Sequence, residues 1–210
     1  KDVMRALIAA NERTMGGNIV DLRGIAMERL EARLDRLEDT HRSVIAAAYE
    51  NLAGTNQVHR AILRMLDPTD FEPFLRDLDG AVADILNVSA VRLVLETTQP
   101  DADGVAARLG PVLSTADAGF VAAYVDGVTE PPFRPVTLRQ IDRGDHRIYG
   151  DLAEWMRSEA CLRLDFGDGR LPGLLLMGSE DPQQFTPQQG TDLLAFFGGV
   201  FERAMRRWLA

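Results

Sequence analysis

From Met27 to Met65 the chain repeats with a spacing of three and four. Met27, Leu30, Leu34, Leu37, His41, Val44, Ala48, Asn51, Thr55, Val58, Ile62 and Met65 fall on one line, while Glu28, Arg29, Glu31, Arg33 and Asp35 fall off it. Such alternation is a heptad seam, two positions in seven turned to one side of a helix. No proline interrupts Ile19 to Met65, so the pattern predicts a single helix of about 45 residues and roughly 70 Å. A stripe of that length outruns what a small domain can cover, and it therefore needs a partner. Either the helix folds back as a hairpin near Gly54, or it pairs with a second copy of the chain. The pattern favours a homodimer through this long N-terminal helix, with His41, Asn51 and Thr55 setting register. Upstream, Val3, Ala6, Leu7 and Ala10 predict a short amphipathic helix over 2–14, and Met15-Gly16-Gly17-Asn18 predicts a turn that ends it.

Two prolines in "LDPTDFEPF" (66–74) stop the long helix and mark a boundary between a helical dimerisation segment, 1–66, and a domain, 67–210. Phe74, Leu78, Val82 and Leu86 then share one helical face. "SAVRLVLET" (89–97) alternates as a strand, and "VTLRQ" (136–140) predicts another. Between them, 98–135 carries little pattern: "GFVAAYVDG" fits a short helix and "TEPPFRP" an irregular loop. "YGDLAEWMRS" (149–158) reads as a helix. The clearest β signal is the pair "EACLRLDF" and "PGLLLMGS" around "GDGR", an Asp-Gly turn between two apolar runs. Last comes a helix from Pro187 to Leu209, with Leu194, Phe197, Phe201, Ala204 and Trp208 on one face. Its start carries Thr186, Pro187 and Gln189 as T-P-x-Q, a hydroxyl cap with a reciprocal partner. Phe185 before the cap is expected to anchor the entry, Gly190 to allow close packing, and Asp192 to favour the helix dipole. The order predicts an α+β fold, an antiparallel sheet flanked by helices and preceded by a long coiled-coil helix.

Composition narrows the function classes. A net charge of −9 over 210 residues disfavours nucleic acid and anionic membrane surfaces, which are gripped by Lys and Arg. No apolar run reaches the ~18 residues of a membrane span. The single cysteine, Cys161, allows no internal disulfide and no multi-cysteine zinc site, and suits a reducing cytoplasm.

Candidate chemistry is sparse. There is no phosphate loop, GxSxG elbow, HExxH or helix-opening GxGxxG, and the pattern predicts neither an enzyme, nor a cofactor, nor a metal site. His146 has acids beside it, Asp142 and Asp145, but a metal or acid–base role needs further side chains to converge there. In a loop of mixed charge, a solvated surface is the reading the sequence favours. His59 falls on the flank of the long helix. By alternation Cys161 shares a face with Arg163 and Asp165, against Leu162, Leu164 and Phe166 on the other, as a packed cysteine or a pocket-lining thiol. Arg203, Arg206 and Arg207 fit the C-terminal dipole of the last helix without invoking nucleic acid.

The carboxyl stretch "GLLLMGSEDPQQFTPQQGTDLLAFFGGVFERAM" (173–205) resembles the end of a bacterial family known as domain of unknown function 484. "GGNIVDLRGIAMERLEARLDRLE" (16–38) is similar to that family's glycine turn and long heptad helix. The resemblance implies a domain similar to GAF domains, the small-molecule-sensing modules, carried as a dimer; it supplies no catalytic residues. The signatures of cyclic-nucleotide-binding and tetrapyrrole-attaching GAF domains are missing. The expectation is a homodimeric sensing or regulatory module with an unidentified ligand, or else an adaptor that recruits a protein partner.

Overall fold

Helix α1 runs from Asp2 to Leu66 without a break, 65 residues in all. It passes straight through Met15-Gly16-Gly17-Asn18, where the sequence predicts a turn. Each glycine costs a helix about 1 kcal/mol relative to alanine, but neither removes a backbone donor as proline does. Long helical flanks outweigh that cost. The computed structural model describes residues 2–98, 109–126 and 134–208, with side chains from Ile25 onward except Asp126. The residues of "TEPPFRP" before Arg134 lie outside the described set.

Two compact units are present, Lys1–Leu52 and Ala53–Ala210. In the first, the seam residues Met27, Leu30, Leu34, Leu37 and Val44 are exposed on the single chain, each by more than half (Leu30 56%, Val44 60%). The second unit contains the end of α1, whose Val58, Ile62 and Met65 are buried in the domain core.

Helix α2 (Phe71–Asp77) follows, then a π-turn (Leu78–Val82) kinked at Gly80 (φ −112°, ψ −106°), then α3 (Ala83–Leu86). Phe74, Leu78, Val82 and Leu86 are all buried, as their spacing predicts. Asn87 ends α3 in the left-handed conformation (φ 54°), where an asparagine is tolerated. The chain then forms β1 (Ala90–Thr97), β2 (Leu113–Asp117), α4 (Phe120–Asp126), β3 (Val136–Gln140) and α5 (His146–Tyr149), which runs on as a 3-10 turn (Gly150–Trp155). Strands β4 (Ser158–Leu164) and β5 (Gly173–Ser179) and helix α6 (Asp192–Met205) complete it.

The five strands lie in the order β2-β1-β5-β4-β3. Pairing is antiparallel except between β1 and β2, which run parallel, so the expected antiparallel sheet is a mixed one. The α+β architecture and the long N-terminal helix stand as the sequence predicts. In the β4–β5 connection Arg170 N–H donates to the Gly167 carbonyl at 3.2 Å, and Gly169 takes φ 76°. Asp168 stays at negative φ, which makes the Asp-Gly turn type II rather than the mirror-image hairpin turn.

Every residue of β5 is buried. Leu175 and Met177 face a core with Leu93, Leu162 and Leu164, covered by the end of α1, α2, α3 and α6. Leu174 and Leu176 face a second, smaller core with Val94, Cys161, Val121, Ile148, Tyr149 and Met156. Helix α6 starts at Asp192, later than its predicted start at Pro187. Thr186 and Gln189 form only half of the predicted capping box: Thr186 N–H donates to Gln189 Oε1 (3.1 Å), but Gln189 N–H donates to the Thr186 backbone carbonyl (3.1 Å) rather than to its hydroxyl. They close an isolated turn, and no neighbour lies within 4 Å of a Cβ placed on Gly190, so close packing is not its role. Phe185 is buried in the main core, as expected of an anchor. No helix among the described residues is long and apolar enough to cross a membrane.

Asp79, at the π-turn, fastens the helices to the sheet. It accepts from Val91 N–H (2.9 Å) and pairs with the buried Arg92 (2.6 Å). Removing it by Asp79→Ala strands a buried guanidinium and an amide, and urea unfolding is expected to show a loss of roughly 3 kcal/mol. Arg76→Ala, which breaks only the exposed pair with Glu72, is expected to cost under about 0.5 kcal/mol.

Candidate functional site

On the face of the smaller core, the strands present Arg139 from β3 and Glu159 and Cys161 from β4. Alternation puts them on one side, and register sets Arg139 directly opposite Glu159. Glu159 has no exposed surface, so its carboxylate needs partners from the protein itself. Arg139 donates to Oε1 from Nε (2.7 Å) and Nη2 (2.6 Å). Tyr149 donates its hydroxyl to Oε2 (2.8 Å), the Tyr124 hydroxyl lies 3.0 Å from Oε2, and Cys161 Sγ lies 3.8 Å from Oε1. Arg139 also donates Nη1 to the Tyr124 carbonyl (3.0 Å) and stacks on the Tyr124 ring, 4.6 Å from its centre. One carboxylate thus gathers β3, β4, α4 and α5.

The supports of this network are local. Glu96, near the end of β1, accepts from Gly119 N–H (2.9 Å) and Val121 N–H (2.7 Å), capping the start of α4 from across the sheet. Gly178 on β5, the cross-strand partner of Glu159, leaves room for Tyr149; a Cβ there would come within 2.7 Å of both the Tyr149 ring and Met156 Sδ. Gly144 serves the same ring from the other side, where a Cβ would lie 2.6 Å away.

Above Glu159 and Arg139 lies a cavity of ≈ 410 Å³, walled by Tyr124, Ile141, Arg143, Gly144, Asp145 and His146. A second hollow of ≈ 360 Å³ adjoins α4, with Asp117, Phe120 and Arg147 in its lining. Phe120 lines one and Tyr124 the other, and their rings stack at 5.5 Å. The larger cavity presents both signs of charge: arginines, a histidine and two carboxylates.

The sequence candidates distribute unevenly around it. Asp145 is the N-cap of α5, accepting from Arg147 N–H (2.8 Å), and Arg147 also holds it through Nη2 (2.6 Å). That hydrogen bond keeps the Asp145 carboxyl below the usual carboxylate range. His146 lines the cavity beside Asp145, whereas Asp142 is exposed and not in the lining. Among the described residues no group of three or more His, Cys, Asp or Glu is placed to hold a metal ion. Cys161 is fully buried, and burial, then the Glu159 carboxylate, pushes its thiol up. Burial followed by the same carboxylate also raises the hydroxyls of Tyr124 and Tyr149. None of these three is poised as a nucleophile or base, and their contacts with Glu159 brace the elements that carry them.

His59 is exposed on α1. Arg203 donates to the Gly199 carbonyl one turn back in α6 (2.6 Å), and Arg206 ties the end of α6 to the Asp165 carbonyl just past β4 (3.0 Å). Glu159, Arg139, Tyr124 and Tyr149 escaped the sequence reading. Their one local signal was a glutamate two places before Cys161 in an otherwise apolar strand.

The family described as "Protein of unknown function, DUF484" matches residues 6–210, nearly the whole chain, and the protein belongs to that family. No curated protein matches it.

Tyr149→Phe keeps the ring in its slot and removes one donor from a buried carboxylate; chemical denaturation is expected to show a loss of about 1–2 kcal/mol. Cys161 is expected to resist an aromatic disulfide reagent at pH 8 in the folded protein and to react with one equivalent per chain in urea. Fast labelling of the native chain would contradict the burial and raised thiol described above.

Proposed function

We propose that this member of the DUF484 family is a regulatory module that binds a small, charged molecule in a GAF-like domain and acts as a homodimer through α1. The observation that carries the reading is the ≈ 410 Å³ cavity over the Glu159–Arg139 pair, a size suited to a small ligand. Its polar wall combines Arg143 and His146 with Asp145, which fits a ligand bearing both signs of charge. The dimer is supported by the seam Met27–Val44, a row of large apolar side chains that a single chain leaves in water. Binding without chemistry, in the cytoplasm, suits the raised thiol and phenols and the lone cysteine. No nucleic acid enters the reading, given the net charge of −9.

An adaptor role is the second reading. It is favoured by Trp155 (61% exposed) and Leu152 on one 3-10 turn, an aromatic and aliphatic pair of the kind that anchors protein partners.

Thermal-shift measurements against a panel of amino acids, nucleotides and organic acids test the two. A ligand at a hundredfold excess over Kd is expected to raise Tm by roughly 5 °C or more. Arg143→Ala, a substitution of an exposed side chain, should reduce that shift. If no compound in the panel stabilises the protein, sensing fails and the adaptor reading takes its place.

A further inference from the structure

The seam has two edges, and their charges are not alike. With Leu30, Leu37 and Val44 at the d positions and Met27, Leu34 and His41 at the a positions, the flanking e positions are Glu31, Glu38, Ile45 and Leu52. The flanking g positions are Arg33, Thr40 and Ala47. All of these side chains are exposed on the single chain. We infer that two copies pair through α1 in parallel and in register, an inference that rests on the homodimer proposed above.

In a parallel pair, each g residue faces the e residue five positions later on its mate. Arg33 then meets Glu38 of a second copy, twice by symmetry. Thr40 meets Ile45 and Ala47 meets Leu52, so the next flanking contacts are methyl against aliphatic. In an antiparallel pair centred on the same segment, e faces e and g faces g. Glu31 and Glu38 would then oppose acids of their own kind, and Arg33 would lose its carboxylate. The apolar seam itself tolerates either direction, so the edges decide. Glu38 does contact Arg42 within its own helix (3.3 Å), but both side chains are more than two-thirds exposed, and such a pair gives way readily.

The full chain in a Cys161→Ala background tests this with two single-cysteine variants, Leu30→Cys and Val44→Cys. After mild oxidation both are expected to give covalent dimers, because in-register d positions bring each residue against its own copy. An antiparallel pair has one crossing point, so at most one of the two sites would self-link. Sedimentation of the uncross-linked chain separates the failures: a monomer at micromolar concentration overturns the homodimer, whereas a dimer in which only one or neither site links overturns only the parallel orientation. Charge variants give an independent readout. Glu38→Arg is expected to raise the dimer dissociation constant roughly tenfold, and Arg33→Glu added to it to restore most of the affinity. Tighter pairing by Glu38→Arg alone would mean that Glu faces Glu, and the inference would be wrong.

Discussion

A strand with apolar side chains on both faces has to be covered twice. β5 is such a strand, buried from Gly173 to Ser179, and its neighbour β4 is nearly so. One cover is thick: the end of α1, the kinked α2–α3 pair and α6 bring Met65, Phe74, Leu78, Phe197 and Phe201 to the sheet. The other is thin, made by two short helices and a 3-10 turn, and it is there that charge appears beneath the surface. Short helices cannot fill their side of a sheet as densely as long ones. Polar side chains and open space take up the difference.

Glu159 shows what that thin layer needs. A buried carboxylate stabilises nothing unless donors reach it, and breaking one such contact costs more than forming it gains. Its donors come from three separate elements, so the carboxylate specifies how they meet rather than adding bulk stability. Gly178 and Gly144 make the same point sterically, since each keeps a slot open for the Tyr149 ring. Shape and hydrogen bonding converge on the same phenol.

Features with a short period were readable in the chain. The heptad spacing gave α1, and the apolar runs around Asp168-Gly169 gave β4 and β5, because these signals are repeated or local. Thr186-Pro187-Gln188-Gln189 misled for a physical reason: the Gln189 side chain and a backbone bond close it as a lone turn, and nothing within four residues reveals whether a helix will follow. The glycine pair at 16–17 misled in the opposite sense, being a weak penalty inside a strong helix. Glu159 was hidden because its partners stand 10, 20 and 35 residues away, and only the strand register joins them. Asp145 and His146 were visible as candidates, but Arg147, which occupies Asp145, passed as one more loop charge.

Helix α4 is held differently at its two ends. Its first turn is tied by backbone amides to Glu96, in contacts that any sequence in the helix would make. Its far end is held to Arg139 and Glu159 through Tyr124, chiefly by one phenol ring and its hydroxyl. Backbone fixes one end of this helix and a single side chain the other, so the identity of residue 124 matters to its placement in a way that the residues of its first turn do not.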